Sequence, residues 1–337
     1  MRLGGAAPRA GGRRRGVRLA SMASEATVPV HLDTDLGGDP DDACALAMLL
    51  GWRGVQIVGI TTTIDPGGQR AGCVRHCLRL ANREEIPVVA GAESSLTRLR
   101  LAQPTIADRR YWPSEIRPAP SPPGAALESL ARSVEAGATV IAIGPLTNLA
   151  QLEVARHGLL RQARVVAMGG WLEAPTDGLP AWGPENDFNV QWDTRAAEIV
   201  AATADLTLVP LAVTLMAHLR ARDLPRLSAA GPLGKLLAQQ SVARGADAAM
   251  DELGRAHRGL PDDLVNFHYD PVTCAVAVGW PGATIEQVSL RPALENGVLR
   301  FVCADDGRPT AVVRDLDGAA FGPTWLEAVE AATTHRT

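Results

Sequence analysis

The sequence predicts an α/β fold: an open, mostly parallel sheet flanked by helices, with a small C-terminal β-meander. Three observations carry that expectation. Short runs rich in Val and Ile recur along the chain and are apolar throughout, as strands buried on both faces are. Stretches of helical periodicity separate them. Where the first run meets the first helix stands an acidic cluster, at the edge where open parallel sheets bind ligands.

In chain order, VPVHLDT (28–34) reads as the first strand and 41–51 as the first helix. VQIVGITTT (55–63) and IPVVAG (86–91) read as strands around a helix at 68–82. WPSEIRPAPSPP (112–123) is too rich in proline for a regular element and reads as a loop. Helical patterns at 124–136, 147–157 and 193–203 alternate with strands ATVIAIGP (138–145), RVVAMGG (164–170) and LTLVPLAVT (206–214). Such alternation implies right-handed βαβ units. Residues 215–262 read as mainly helical, broken at AAGPLG (229–234). The segment 286–317 predicts the meander, with turns at Asn296-Gly297 and Asp306-Gly307, and a helix over 322–332 follows. Neither an internal repeat nor a Gly-rich phosphate loop is present.

The 337 residues, 46% hydrophobic, can bury one large α/β core or two smaller ones. No apolar stretch approaches the roughly 20 residues of a membrane span. The first twenty residues hold six arginines and no acid, and setting them aside takes the formal charge from −4 to −10. So acidic a body is a poor match for nucleic acid or anionic lipid. Residues 1–26 read as a disordered extension or an over-called start, with Met22 as an alternative beginning; 27–334 read as a single domain. Arg13–Arg15 hint at an export signal, but no hydrophobic segment follows them. The five cysteines (Cys44, Cys73, Cys77, Cys274, Cys303) read as buried free thiols suited to a reducing cytoplasm. Cys73 and Cys77 have a spacing a metal could use, but no paired motif supports one.

The acidic cluster comprises Asp33, Asp35, Asp39, Asp41 and Asp42. Part of it reads as ordinary helix chemistry. Asp39 suits an N-cap, Pro40 the first helical position, and Asp41 and Asp42 the dipole-favoured first turn. Asp33 and Asp35 are left over. Carboxylates converging on a strand end repel one another unless a cation neutralises them, and an all-oxygen site suits Ca²⁺ or Mg²⁺. Two chemistries follow. Phosphoryl transfer by a DxD motif wants Thr or Val where Gly37 stands, and Lys235 is the sole lysine available to it. Hydrolysis by a metal-activated water needs further oxygen ligands from later strand ends. Candidates lie in GPLTNLA (144–150), VVAMGG (165–170), GPENDFNVQWDTRAA (183–197) and NFHYDPVTCAVAVG (266–279).

With DDACALAML after the aspartates, these segments, in this order and spacing, resemble the inosine–uridine-preferring nucleoside hydrolases over about residues 28–330. The resemblance implies that family's fold and cleavage of a ribonucleoside to base and ribose, a purine or pyrimidine salvage reaction. It also implies a homodimer or homotetramer and one Ca²⁺, held by Asp35, Asp42, Asp270 and the Thr147 carbonyl. Asp35 would deprotonate the Ca²⁺-bound water that attacks C1′, through an oxocarbenium-like transition state. Asp41 and Asn189 would hold ribose hydroxyls. Asp187 stands where the family often has Glu, with Glu185 and Asn186 as nearby reserves. Met168 would pack under the sugar and Asp33 would support the cluster from behind. Blander roles exist for several: a turn for Asn189, core for Met168, helix caps for Asp270 and Thr147.

Three departures from the family pattern stand out. The Asp pair follows Asp35 at six residues rather than four, so Asp39 could share the role of Asp41. GITTTIDPGGQ lacks the family's ribose-binding Asn, leaving Asp65 or Gln69 to substitute. Tyr269 holds the place of a His found in many purine-active members, so leaving-group activation falls to His268 or Tyr269. Trp182 and Trp192 are candidates to stack on a base. The competing readings are a metal-dependent phosphatase or phosphotransferase, and a ribosyl-binding relative without turnover.

Overall fold

The computed structural model describes residues 27–97 and 106–332. The expected extension at 1–26 and the end of the 27–334 span lie outside the described residues. The strands are β1 (Val28–Thr34), β2 (Val55–Thr62), β3 (Val88–Ala90), β4 (Thr139–Ala142), β5 (Arg164–Met168), β6 (Asp205–Val209), β7 (His218–Arg220), β8 (Leu264–Phe267), β9 (Ala283–Glu295), β10 (Val298–Cys303) and β11 (Arg308–Leu316). The first six helices are α1 (Asp41–Gly51), α2 (Gln69–Leu80), α3 (Ala125–Glu135), α4 (Thr147–Ala155), α5 (Phe188–Trp192) and α6 (Thr194–Thr203). After them come α7 (Leu211–Thr214), α8 (Leu224–Ala229), α9 (Gly231–Asp247), α10 (Met250–Ala256), α11 (Tyr269–Ala277) and α12 (Gly318–Ala331).

Nine strands form one sheet in the order β10-β9-β11-β6-β5-β4-β1-β2-β3, parallel except where β9 pairs with β10 and β11. β7 and β8 pair antiparallel in a separate ribbon. The apolar-throughout strands have their explanation in the two faces. Along β4 and its end, Val140 and Ala142 join the core under α3, α4 and α6, while Ile141 and Ile143 join the core under α1, α11 and α12. β1 pairs with β2 on one side and β4 on the other, and from it the chain order runs outward in both directions. That reversal opens a crevice at the carboxyl ends of β1 and β4, the position at which such sheets bind ligands.

Two expectations are refined. The strand expected over 206–214 stops at Val209, because Pro210 offers no N–H to a neighbour, and Leu211–Thr214 turns into a short helix. The three C-terminal strands are antiparallel and turn where expected, with Asn296 at φ 53. However, β9 lies between its two partners, and β11 pairs parallel with β6, so these strands prolong the main sheet. Among the described residues no helix is long and apolar enough to cross a membrane. All five cysteines are free; four are buried and Cys303 is exposed.

α1 is buried along its whole length, clasped by α11 and α12. Gly51 makes the clasp close: a Cβ there would lie 1.9 Å from the Ala328 carbonyl oxygen of α12. Gly51→Ala must therefore push two helix backbones apart, and it should lower stability by about 2–3 kcal/mol, read as a lower urea midpoint. An unchanged midpoint would show that α1 and α12 are not held at this distance.

A second prediction concerns His31 on β1. Its ring is fully buried, with Nδ1 2.8 Å from Ser133 Oγ and Nε2 3.1 Å from Thr61 Oγ1. Burial, helped by nearby Arg132, pushes its pKa from 6.5 down to about 3. Between those values the unfolded chain takes up a proton that the folded chain refuses, so stability falls as pH drops below 6.5. The loss is about 1.4 kcal/mol per pH unit. His31→Gln should be less stable than wild type at pH 7.5, by about 1–2 kcal/mol for the lost hydrogen bonds. That gap should close toward pH 5; a constant gap would show that the imidazole is not held neutral.

Candidate active site

The crevice holds a cavity of about 590 Å³. Its acidic floor is formed by Asp35, Asp39, Asp41, Asp42 and Asp270; Met168 and Asn189 line one side, and Trp182, Phe188, Trp192 and Tyr269 supply aromatic wall. Two arginines, Arg70 and Arg244, also reach it.

Asp33, one residue before the end of β1, is fully buried. Its Oδ1 accepts from Thr61 Oγ1 at 2.5 Å and Asn148 Nδ2 at 2.8 Å, while Oδ2 has no hydrogen-bond partner. Burial pushes its pKa up to about 7 against those two bonds. Asp33 thus ties β1 to β2 and α4. Thr34 Oγ1 accepts from the Leu36 N–H at 3.1 Å and donates to Asp42 Oδ1, drawing the first turn of α1 back onto the strand end. Asp35 fits against the end of β4 because residue 144 is glycine: a Cβ there would stand 2.8 Å from Asp35 Oδ1.

Carboxylate oxygens of Asp41, Asp42 and Asp270 all lie within 4.8 Å of one another, and all three residues are buried. Burial first, and then repulsion from neighbouring aspartates (Asp39 and Asp42 on Asp41, Asp35 on Asp42, Asp41 and Asp42 on Asp270), holds each pKa well above the usual carboxylate range. Such a group is short of positive charge, and its donors are all oxygen, so the set fits a hard divalent cation. Asp41, expected at the ribose hydroxyls, stands in this triad; Asp35, expected as a ligand and general base, lines the same cavity, where burial raises its pKa and Arg70 opposes the rise. Thr147 is fully buried at the start of α4, and its hydroxyl donates to Asp193 Oδ2 at 2.7 Å.

Other expected residues divide. Asn189 sits between β4 and β5, its Nδ2 3.0 Å from the Ile143 carbonyl and 3.3 Å from that of Met168. Trp182 meets Phe267 edge-on at 5.7 Å, and Trp192 meets Phe188 at 5.0 Å. Asn186 lines the cavity, while its Oδ1 accepts from the Gly183 N–H at 3.1 Å.

Several placements correct the sequence expectations. Asp39 accepts from the Asp41 N–H at 3.4 Å, the bond expected of a cap, but its shorter contacts lie elsewhere: it accepts from Asn266 Nδ2 at 2.6 Å and forms an ion pair with Arg244, whose Nε is 2.7 Å away. Asp187 is buried off the cavity wall, capping α5 through a bond from Val190 N at 3.2 Å and also accepting from Gly170 N, beyond the end of β5, at 2.6 Å. Burial raises its pKa to about 6. Glu185 does not line the cavity either. Asp65 is consumed at the start of α2, accepting from Thr62 Oγ1 and Arg70 N, both at 2.7 Å, and from Ala71 N at 3.0 Å. His268 faces away, its ring 4.4 Å from Trp325 and 5.6 Å from Phe321, and burial drives its pKa down to about 3. Its neighbour Tyr269 faces the cavity instead.

Arg70 and Arg244 were not legible as site residues. Arg70 is 4% exposed, donates from Nε to the Ile64 carbonyl at 3.0 Å and from Nη1 to the Asp35 carbonyl, and stands 3.9 Å from the Asp35 carboxylate. The one local signal is an arginine in the first turn of a helix, where the dipole disfavours positive charge. Arg244 arrives from the last turn of α9, far along the chain, with no local signal at all.

Comparison with known proteins agrees with this geometry. Residues 30–322 match the model of the inosine-uridine preferring nucleoside hydrolases. A pyrimidine-specific ribonucleoside hydrolase, RihA, of Shewanella sp. (strain MR-7) is 33% identical over 224 residues, 63% of this chain and 68% of that protein. RihA of Salmonella schwarzengrund (strain CVM19633) is 31% identical over 225 residues, 63% of this chain and 70% of that protein. Among solved structures, a plant nucleoside hydrolase, PpNRh1, superposes with a TM-score of 0.71 at 23% identity, covering 90% of this chain and 98% of that one. A purine-preferring ribonucleoside hydrolase from Gardnerella vaginalis gives 0.72 at 21% identity, covering 91% and 99%. At such identities the two structures speak for the fold. The chain belongs to the inosine-uridine preferring nucleoside hydrolase family, enzymes that hydrolyse N-glycosyl compounds.

Proposed function

We propose that this protein cleaves the N-glycosidic bond of a ribonucleoside to free base and ribose, with Ca²⁺ as its cofactor. One observation carries the reading: three buried carboxylates converge within 4.8 Å on the floor of a cavity of about 590 Å³. Ligand cavities of this order enclose small molecules. Asp42, Asp270, Asp41 or Asp35, and the Thr147 carbonyl would hold the ion. When bound, it would neutralise the cluster, gather the ribose hydroxyls and lower the pKa of a water.

The remaining steps belong to side chains. Asp35 takes the proton of the attacking water as the new bond to C1′ forms, and Arg70 fixes Asp35 by its carbonyl and its carboxylate. Asp41 and Asn189 hold ribose hydroxyls, and Met168 supports the sugar beside the Asn189 amide, which lies 3.4 Å from its sulfur. The aromatic wall of Trp182, Phe188 and Trp192 receives the base. The phosphotransferase alternative gains nothing, since Lys235 does not line the cavity. A second reading, ribosyl binding without turnover, is favoured by the Arg70–Asp35 pair alone, because a guanidinium beside a base weakens it.

The test is release of reducing sugar from inosine, guanosine, adenosine, uridine and cytidine, with and without a calcium chelator. At least one nucleoside should be cleaved; chelation should abolish the activity, and added Ca²⁺ restore it. Tight Ca²⁺ binding with no sugar released from any of them would support the second reading. Asp35→Ala should lower kcat by about 10²–10⁴-fold with the circular dichroism spectrum kept. Wild-type turnover in that variant would remove Asp35 from the mechanism.

A further inference from the structure

Cleaving a nucleoside sends the electron pair of the C1′–N bond onto the base, and something must accept that charge. His268, the imidazole nearest in sequence to the last aspartate of the triad, is packed against Phe321 and Trp325 and does not reach the cavity. The floor carboxylates can only repel a departing anion. Arg70 is committed at the sugar end, bonded to Ile64 and Asp35. That leaves Arg244.

Its surroundings suit the task. Arg244 comes from the end of α9 into the cavity wall beside Tyr269, near enough that the Tyr269 and Asp41 charges bear on it. Its Nε lies 2.7 Å from an Asp39 carboxylate oxygen, an ion-pair contact without hydrogen-bond geometry, and Asp39 is itself held by Asn266 at 2.6 Å, so the guanidinium faces a fixed carboxylate on one edge. The side chain keeps 36% of its surface exposed. The neighbouring wall is aromatic: Tyr269 and Trp182 both pack on Phe267, at 5.4 and 5.7 Å. A planar base stacked on that wall would turn an edge toward a fixed cation.

We infer that Arg244 is the leaving-group residue of this site: its guanidinium binds the departing base at an oxo group conjugated with the glycosidic nitrogen and stabilises the anion. This rests on the nucleoside reading above. Arginine keeps its protons at any working pH, so it acts by charge and hydrogen bonding, with no proton transferred. The balance is simple. Water's oxygen bonds to C1′ and its proton goes to Asp35; the C1′–N pair goes to the base. The base anion, paired with Arg244, takes a proton from solvent on release, and Asp35 returns its own. The substrates so selected are nucleosides of oxo bases, uridine, cytidine and inosine, over adenosine.

The experiment compares wild type, Arg244→Ala and Arg244→Lys on uridine, inosine, adenosine and p-nitrophenyl β-ribofuranoside, whose leaving group needs no help. Arg244→Ala should lose about 10²–10³-fold in kcat on uridine and inosine, the usual cost of removing one fixed charge stabiliser. It should lose far less on the nitrophenyl riboside. Free guanidinium should restore part of the uridine activity to Arg244→Ala and none to Arg244→Lys. Equal losses on all substrates, or no rescue, would overturn the proposal in favour of a structural role through Asp39. A wild type active on the nitrophenyl riboside whose Arg244→Ala form cleaves uridine normally would overturn the proposal and leave the nucleoside reading standing. A wild type inert on every substrate would overturn both.

Discussion

Mutual repulsion among carboxylates is the constraint around which this structure is arranged. Among the described residues, five aspartates line one cavity and two guanidiniums line it with them. Left to themselves, such groups separate or take up protons. Here the fold prevents separation. Thr34 ties Asp42 to the strand end, α11 delivers Asp270 from far along the chain, and the short reach of Gly144 lets Asp35 sit against β4. The charge is thereby stored rather than relieved, and a cation-hungry crevice results.

The two arginines do not quench that charge; they divide the cavity. Arg70 lies at the end where β1 finishes and touches Asp35 through backbone and carboxylate. Arg244 lies against Asp39, near enough to Asp41 and Tyr269 for their charges to bear on it. Among the described residues no ion pair reaches Asp41, Asp42 or Asp270. A neutral substrate bound across this arrangement meets an acidic middle and two positive edges, which orients it before any chemistry begins.

Much of this was legible in the sequence, and the limits have physical causes. The strand runs and helix periodicities located the elements because burial on both faces leaves an unbroken apolar signature, as in β4 and β5. The acidic cluster was visible because its members are local and costly. What could not be read were properties of orientation. His268 and Tyr269 are adjacent, and which of them faces the cavity is decided by α12 packing on the His268 ring. Asp39 could be read as a cap because caps are local, and it does accept from the Asp41 N–H, yet its shorter contacts, to Asn266 and Arg244, are supplied by distant segments. Asp187 and Asp65 looked like ligands, but each is spent on backbone N–H groups at the start of a helix. Pairings across two hundred residues leave no periodic trace.

The clasp of α1 by α12 bears on the order in which the protein can become itself. α1 presents the carboxylates, and part of its cover comes from α12, where Trp325 Nε1 donates to the Cys44 carbonyl 281 residues away in the chain. During synthesis the acidic turn leaves the ribosome well before the helix that closes over it. Until then α1 has an apolar face without its full cover, and its aspartates have no rigid frame. An emerging chain would hold no shaped site for a cation to misfill, and the crevice would take form only as α12 docks.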